Sequence, residues 1–420
     1  MVQDVNEILS NNLHHLFFQG EWEEKSGGDA KAGGGALMPP KLFDKTEDTQ
    51  GKGKEVGQFK RGTEDQAHLV NTSYRYSPGA GLVRINGRLP KLSEEDVLIR
   101  VDATTISTRD CRERLRRDTN KALKDDVWVP GHAIVGHVVH AGMNAKSLVY
   151  KLVAALLPYG GGCSRYVCIY AKDVIPLPLP EETGCDEVLS VALLPAYMTA
   201  YQCLESVNLI ADDAGQEQER SFLVGKKVLI FGAGTPEGLA LVELARIAGA
   251  IVYTVSHTHS PLFCEMGTGY WYSFYQKKKW KKKWRGKMDL IVDTVGDSDY
   301  YPSFYKVMKT RGRLVRVNIS SCKKKYEPLT GTRGNQMYGL LKSYKGRVIN
   351  DKAIDYDIFH SFNDDKDLFT EDLAYLHGLL RIGKIRPKIF SRVGFDQLDG
   401  EWNKVMAGGT NGVVVVQPWK

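Results

Sequence analysis

No Cys-x-x-Cys pair occurs anywhere in the 420 residues. The seven cysteines, at positions 111, 163, 168, 185, 203, 264 and 322, are odd in number and scattered. That excludes a disulfide framework and points to an intracellular reducing compartment, cytoplasmic or organellar. Long apolar runs are also missing: none reaches the ~18 residues a membrane-spanning helix needs. The longest candidate, Val188 to Leu204, is broken by Ser190, Pro195, Thr199 and Gln202 and reads as a buried helix with its approach. No basic stretch followed by an apolar core opens the chain, so the pattern of a secretory signal is absent. The excess of positive charge is small, +7 over the whole length. Spread so thinly, it gives no reason to expect nucleic acid. What is present, 42% apolar and 25% charged residues, is a globular composition. The length suits two domains and an appendage.

Residues 1–75 stand apart. Asp4 to Phe18 has the spacing of a short amphipathic helix, with Val5, Ile8, Leu9, Leu13, Leu16 and Phe17. Beyond it, the glycine-rich stretch from Ser26 to Gly35, then Pro39 and Pro40, is linker chemistry with little to offset ordering entropy. From residue 76 to 189 the texture is all-β. Val97-Leu-Ile-Arg-Val-Asp-Ala alternates as a half-buried strand, Ala133 to His140 and Tyr166 to Tyr170 follow, and Val174-Ile-Pro reads as an edge. From 190 to 345 strands alternate with helices, the pattern of a parallel sheet covered on both faces. Residues 346–420 end in Gly412-Val-Val-Val-Val and are expected to return to the first unit.

The strongest local signal is Phe231-Gly-Ala-Gly-Thr-Pro-Glu-Gly-Leu, between the strand Lys227–Phe231 and the helix expected from Gly238 to Ala248. A pyrophosphate sits against backbone N–H groups at such a strand-to-helix turn, and any side chain would hold it away. Gly232 and Gly234 supply the tight turn and the close approach, and Gly238 lets the helix pack on the strand. Pro236 offers no N–H, and Glu237 adds negative charge at the helix N-terminus, which an anionic ligand does not welcome. After the next strand an acidic residue would bind the ribose diol of NAD. Here the stretch is Thr254-Val-Ser-His-Thr-His, without one, which favours NADP with Ser256 and His257 beside the 2′-phosphate. Asn318, just after the strand Arg313–Val317, completes the expected nucleotide contacts.

Several segments, in order, resemble the medium-chain dehydrogenase/reductase superfamily. They are Val129-Pro-Gly-His-Ala-Ile-Val-Gly, Tyr159-Gly-Gly-Gly-Cys-Ser-Arg-Tyr-Val, Leu194-Pro-Ala-Tyr-Met-Thr-Ala-Tyr, Leu290-Ile-Val-Asp-Thr-Val-Gly and Arg311-Gly-Arg-Leu-Val. The resemblance runs from about residue 80 to the C-terminus and implies an α/β fold: a Rossmann parallel-sheet domain plus a GroES-like β domain, with the active cleft between them. Ser107 stands where zinc alcohol dehydrogenases carry their first cysteine ligand, and Ala133 where they carry glutamate after His132. No zinc is therefore expected, and His132 is expected to be a hydrogen-bonded core residue. The resemblance then points to the zinc-free quinone oxidoreductases and enoyl-thioester reductases. It implies hydride transfer from NADPH to a quinone or an α,β-unsaturated carbonyl, with Thr199 near the nicotinamide and Tyr197 and Asp110 as candidate catalytic groups. The alternative is a catalytically weakened relative serving as an accessory or scaffold subunit. A homodimer or a place in a larger complex is compatible with either.

Between the Rossmann strands lies Tyr270-Trp-Tyr-Ser-Phe-Tyr-Gln-Lys-Lys-Lys-Trp-Lys-Lys-Lys-Trp-Arg-Gly-Lys. If helical, Trp280 and Trp284 share one face, i and i+4. Two outcomes follow. Either the tryptophans pack back on the domain beneath a solvated lysine helix, or they anchor Lys277–Lys287 on an acidic protein partner or a membrane surface. Relatives use a tyrosine near the NADP phosphate where Phe274 stands here.

Overall fold

A computed structural model describes residues 38–43, 70–120, 123, 128–178, 186–206, 223–257, 263, 265–317, 353–406 and 411–420. The helix expected over Asp4–Phe18 and the candidate Asn318 lie outside the described residues.

The first strands among the described residues form a hairpin, β1 (Val70–Ser77) and β2 (Gly81–Arg88). Strands β3 (Asp96–Ile106), β4 (Ala133–Ala141), β5 (Leu152–Leu156), β6 (Tyr166–Tyr170) and β7 (Val174–Pro176) follow, with helix α1 (Thr108–Thr119) between β3 and β4. A helical passage of α2 (Glu187–Ala192), a π-helical turn (Leu193–Met198) and α3 (Thr199–Glu205) leads on. Next come β8 (Lys227–Phe231), α4 (Pro236–Ile247), β9 (Ile251–Ser256), β10 (Tyr270–Ser273), α5 (Lys277–Lys283), β11 (Met288–Asp293), α6 (Tyr301–Val307), β12 (Met308–Val317) and β13 (Ala353–Tyr356). Helices α7 (Ile358–Asp364) and α8 (Lys366–Arg381) return the chain to β14 (Ile389–Gly394), α9 (Leu398–Met406) and β15 (Val413–Gln417).

Strands β8 to β13 form a parallel sheet in the order β10-β9-β8-β11-β12-β13. Counted from β8 this is 3-2-1-4-5-6, the doubly wound dinucleotide-binding order, whose switch point falls between β8 and β11. Its strands are apolar on both faces because helices cover both: Val228, Ile230, Leu241, Val292 and Leu376 pack on one side, Leu229, Phe231, Ile291, Phe304 and Trp280 on the other. The second sheet, β14-β15-β3-β4-β5-β7 with β6 paired to β3, is largely antiparallel. The expected α/β class with a parallel-sheet unit and a β unit is therefore found. The tail does rejoin the antiparallel sheet, since Val414–Val416 pairs with Thr104–Ile106.

Three details differ from the sequence reading. β3 is covered on both faces, with Val97, Leu98, Ile99 and Val101 all fully buried, because Leu98, on the face that alternation left to solvent, packs with Leu89, Val139 and Tyr166. β1 begins at Val70, inside the stretch read as linker, because buried Asn71 donates to the carbonyls of Leu42 and Tyr166. The parallel sheet gains its last strand after residue 345, at Ala353–Tyr356.

Trp280 and Trp284 do not point outward. They are 0% and 1% exposed and pack against Phe231, Tyr253 and Tyr272, so of the two outcomes the tryptophans pack back on the domain and do not anchor the lysine segment on a partner. The i,i+4 pair is the only apolar face of α5, so the core claims it. Lys277 is held by the Asp299 carbonyl at 2.7 Å and the Tyr300 ring, while Lys278, Lys279, Lys282 and Lys283 are exposed or nearly so.

The two chain passages between the sheets meet at Gln202 on α3. Its buried side chain accepts from Tyr356 Oη (2.6 Å) and Ser361 Oγ (2.8 Å) and donates to Asp372 on α8 (2.8 Å).

Candidate active site

The glycine turn is built by exclusion of side chains. Gly232 has φ +91°, and a Cβ there would sit 2.3 Å from Thr294 Oγ1. A Cβ at Gly238 would lie 2.2 Å from the Gly232 carbonyl, so α4 can pack this close to β8 only with glycine. Gly234 is different: a Cβ there would meet Asn411 Oδ1 at 3.7 Å and Ser256 Cβ at 4.0 Å, ordinary van der Waals contact, so a small side chain would fit. Thr235 caps α4, its Oγ1 accepting from Gly238 N at 3.0 Å, and Pro236 takes the first helical position, which suits its fixed φ. Leu239 N–H donates to the Thr235 carbonyl and Thr235 N–H to that of Gly232. Across the switch point, fully buried Asp293 at the end of β11 accepts from Val295 N (2.9 Å) and Gly296 N (3.1 Å). Burial nevertheless pushes its carboxyl up to about 6, the two amides opposing that shift only in part.

Facing this turn is the N-terminus of α1. Ser107 starts the helix, and its N–H and Oγ both donate to Asp110 Oδ2, at 2.8 and 2.9 Å. Asp110 Oδ1 accepts from Gly131 N at 2.8 Å. From this helix three side chains cross to the parallel-sheet side. Thr108 Oγ1 donates to Glu237 Oε1 at 2.8 Å, and Arg112 Nη2 donates to the Thr294 carbonyl at 3.3 Å. Arg109 lies 4.1 Å over the Phe359 ring and 3.5 Å from Asp357, and desolvation lowers its otherwise very high pKa.

Between them is a recess lined by Ser107, Arg109, His132, Ala133, Leu156, Pro195, Thr199, Glu237, Ile358 and Phe359. It encloses about 20 Å³, room for one water. At its wall His132 Nε2, Thr199 Oγ1 and Glu237 Oε2 are buried with no hydrogen-bond partner among the described residues, as is Arg109 Nη1 apart from its ion pair with Asp357. His132 Nδ1 donates to the Leu157 carbonyl at 2.8 Å, and burial lowers its pKa, so the ring is neutral with an Nε2 lone pair. The π-helical turn around Pro195 brings Pro195 and Thr199 to the wall together.

Of the residues singled out in the sequence, Gly232, Gly234 and Gly238 come together at the turn and Thr199 lines the recess. Ser256, at the end of β9, is buried and accepts a hydrogen bond from Trp271 Nε1 at 2.8 Å. His257 is exposed, edge-on to Phe274 at 4.5 Å. Tyr197 does not reach the recess: its hydroxyl donates to Glu243 Oε2 at 2.5 Å, and burial followed by that carboxylate pushes its pKa far up. Asp110 spends its carboxylate on Ser107 and Gly131, and is not at the recess wall either. Sequence reasoning missed Thr108, Arg109 and Arg112. The i,i+3 arginines next to a helix-starting serine were the available signal.

Residues 270–416 match a family model described as zinc-binding dehydrogenase. A chloroplastic quinone-oxidoreductase, QR1, from Triphysaria versicolor is 22% identical over 351 residues, 81% of this chain and 94% of that protein. Among solved structures, JamJ enoyl reductase superposes with TM-score 0.65 at 16% identity, over 83% of this chain and 99% of that one. The quinone oxidoreductase from Thermus thermophilus, solved also as its NADPH complex, gives 0.57 at 21% identity, over 82% and 99%. The chain has the medium-chain dehydrogenase/reductase fold. The proteins it is similar to include quinone oxidoreductases and an enoyl reductase. The two sheets are thus the Rossmann and GroES-like units of that fold, and the recess lies where they meet. A nicotinamide dinucleotide fits these residues only in part. The turn has Gly232 and Gly238, where close backbone approach leaves no room for a side chain, but ligand pockets run to ~300–1,000 Å³. A recess of about 20 Å³ does not admit a ring.

Proposed function

We propose that the chain is a zinc-independent oxidoreductase that binds NADP and acts on a quinone or an α,β-unsaturated carbonyl or thioester. The observation that carries this reading is the glycine turn at the switch point, whose backbone admits no side chain at Gly232 and Gly238. The nicotinamide, when bound, would supply the hydride. Ser256 and His257 stand at the end of β9, where the ribose is read, and no carboxylate is among them to repel a 2′-phosphate. Zinc independence rests on the donor set: the Ser107 hydroxyl is committed to Asp110, Ala133 has no donor, and the ligand-type side chains left at the recess are His132 and Glu237, short of the three protein ligands a catalytic zinc takes. Lys277–Lys287 is proposed as a contact for an acidic partner or membrane surface through charge alone, its tryptophans being buried.

Fluorescence titration tests the cofactor assignment. NADPH is expected to bind at least tenfold more tightly than NADH, and equal or reversed affinities would refute it. A second reading, an accessory subunit without turnover, is favoured by the closed recess. It predicts no NADPH oxidation with any quinone or enone at millimolar concentration, although the protein is folded.

A further inference from the structure

Glu237 is the residue the proposed function does not absorb. Its carboxylate is 4% exposed on the first turn of α4, yet one oxygen has no partner among the described residues. The other oxygen accepts from Thr108 on the opposite side of the cleft, at 2.8 Å. Burying a carboxylate half-satisfied is costly, so such an arrangement persists only where surrounding contacts impose it. The contacts that impose it close the cleft: Arg112 reaches the Thr294 carbonyl and Arg109 wedges between Phe359 and Asp357.

The same carboxylate sits where an anion would be received. Between Gly234 and Leu239, Pro236 has no N–H, and those of Thr235, Gly238 and Leu239 are taken within the turn. A phosphate would therefore depend on the amides of Gly234 and Glu237, beside a fixed negative charge that already satisfies the helix dipole.

Resting on the reading that this turn receives a nucleotide, we propose that Glu237 is a latch: bonded across the cleft to Thr108, it holds the recess shut and competes with the ligand's phosphates. Nucleotide entry then requires the Glu237–Thr108 bond to break and α1 to swing from α4.

Two variants test this, Glu237→Ala, which removes bond and charge, and Thr108→Val, which removes the bond alone. NADPH affinity is read by fluorescence and amide exchange by mass spectrometry, the latter without nucleotide. The latch predicts at least tenfold tighter NADPH binding for Glu237→Ala and a smaller gain for Thr108→Val. It also predicts faster exchange in both, confined to residues 107–112 and 232–238. Unchanged exchange in both variants overturns the latch, as does NADPH binding no tighter in Glu237→Ala than in a parent that itself binds well. If neither parent nor variant binds NADPH, the cofactor assignment falls, and exchange alone decides whether Glu237 holds the cleft.

Discussion

Replacing Asp293 with asparagine isolates one buried charge at the switch point. The carboxyl titrates near 6 in the folded chain against 3.8 as the unperturbed value. A raised folded pKa means that the folded state binds its proton more tightly than the unfolded chain does. The ionised form therefore penalises folding above pH 6, and the penalty is relieved as pH falls through 6 towards 3.8. The difference between the two values corresponds to about 3 kcal/mol at pH 8, and about half of that is gone by pH 5. The substituted amide would keep an oxygen acceptor for the Val295 and Gly296 N–H groups, so the loop itself should survive. The expected result is a variant whose stability relative to the parent is greatest at pH 8 and declines by ~1–2 kcal/mol by pH 5. Urea unfolding followed by tryptophan fluorescence at half-unit pH steps measures it. A difference that is flat across this range, or grows as pH falls, refutes the argument that burial dominates the two amide bonds.

Gly238→Ala should destabilise the chain by ~1–3 kcal/mol and weaken nucleotide binding, because its Cβ would lie 2.2 Å from the Gly232 carbonyl and α4 must back away. Thermal unfolding and titration read both effects; wild-type values in each would show the helix free to move. Trp280→Ala should cost ~3–5 kcal/mol, since the side chain is wholly buried, and a loss under ~1 kcal/mol in urea unfolding would contradict its place in the core. Substituting Lys277, Lys278, Lys279, Lys281, Lys282 and Lys283 with glutamine should leave stability and nucleotide affinity intact. It should also abolish co-sedimentation with acidic vesicles or partners, which each lysine favours by ~1 kcal/mol at a membrane surface. Unchanged co-sedimentation would mark α5 as a solvated helix only.

The middle of the parallel sheet was legible because β8, β9 and β11 are apolar runs punctuated by helices, a local pattern, whereas β10 and β13 carry no such run. The glycine turn was legible because close backbone approach leaves only one residue type possible at Gly232 and Gly238. Two of the chemical assignments rested on likeness instead. Tyr197 sits in a matching segment and Asp110 in the stretch after Ser107, but their polar atoms are claimed by Glu243 and by Ser107 with Gly131, partners up to 46 residues away in sequence. No periodicity reveals such pairing. Glu237 was visible as an unwelcome charge, but not as a bond, because Thr108 lies 129 residues away. The fate of Trp280 and Trp284 turned on what the sheet offers them, the rings of Phe231 and Tyr253, which the helix alone could not show.

Gln202 carries a mechanical implication. Both strands of chain that pass between the sheets are tied to this one side chain, through Tyr356, Ser361 and Asp372. Two tethers joined at a point leave rotation as the soft motion and make separation expensive, since parting the halves would strand a buried amide. Any opening of the molecule would then be that of a hinged shell, small beside Gln202 and amplified with distance from it. Freeing that fulcrum, as Gln202→Leu would, should turn a swing into a wobble.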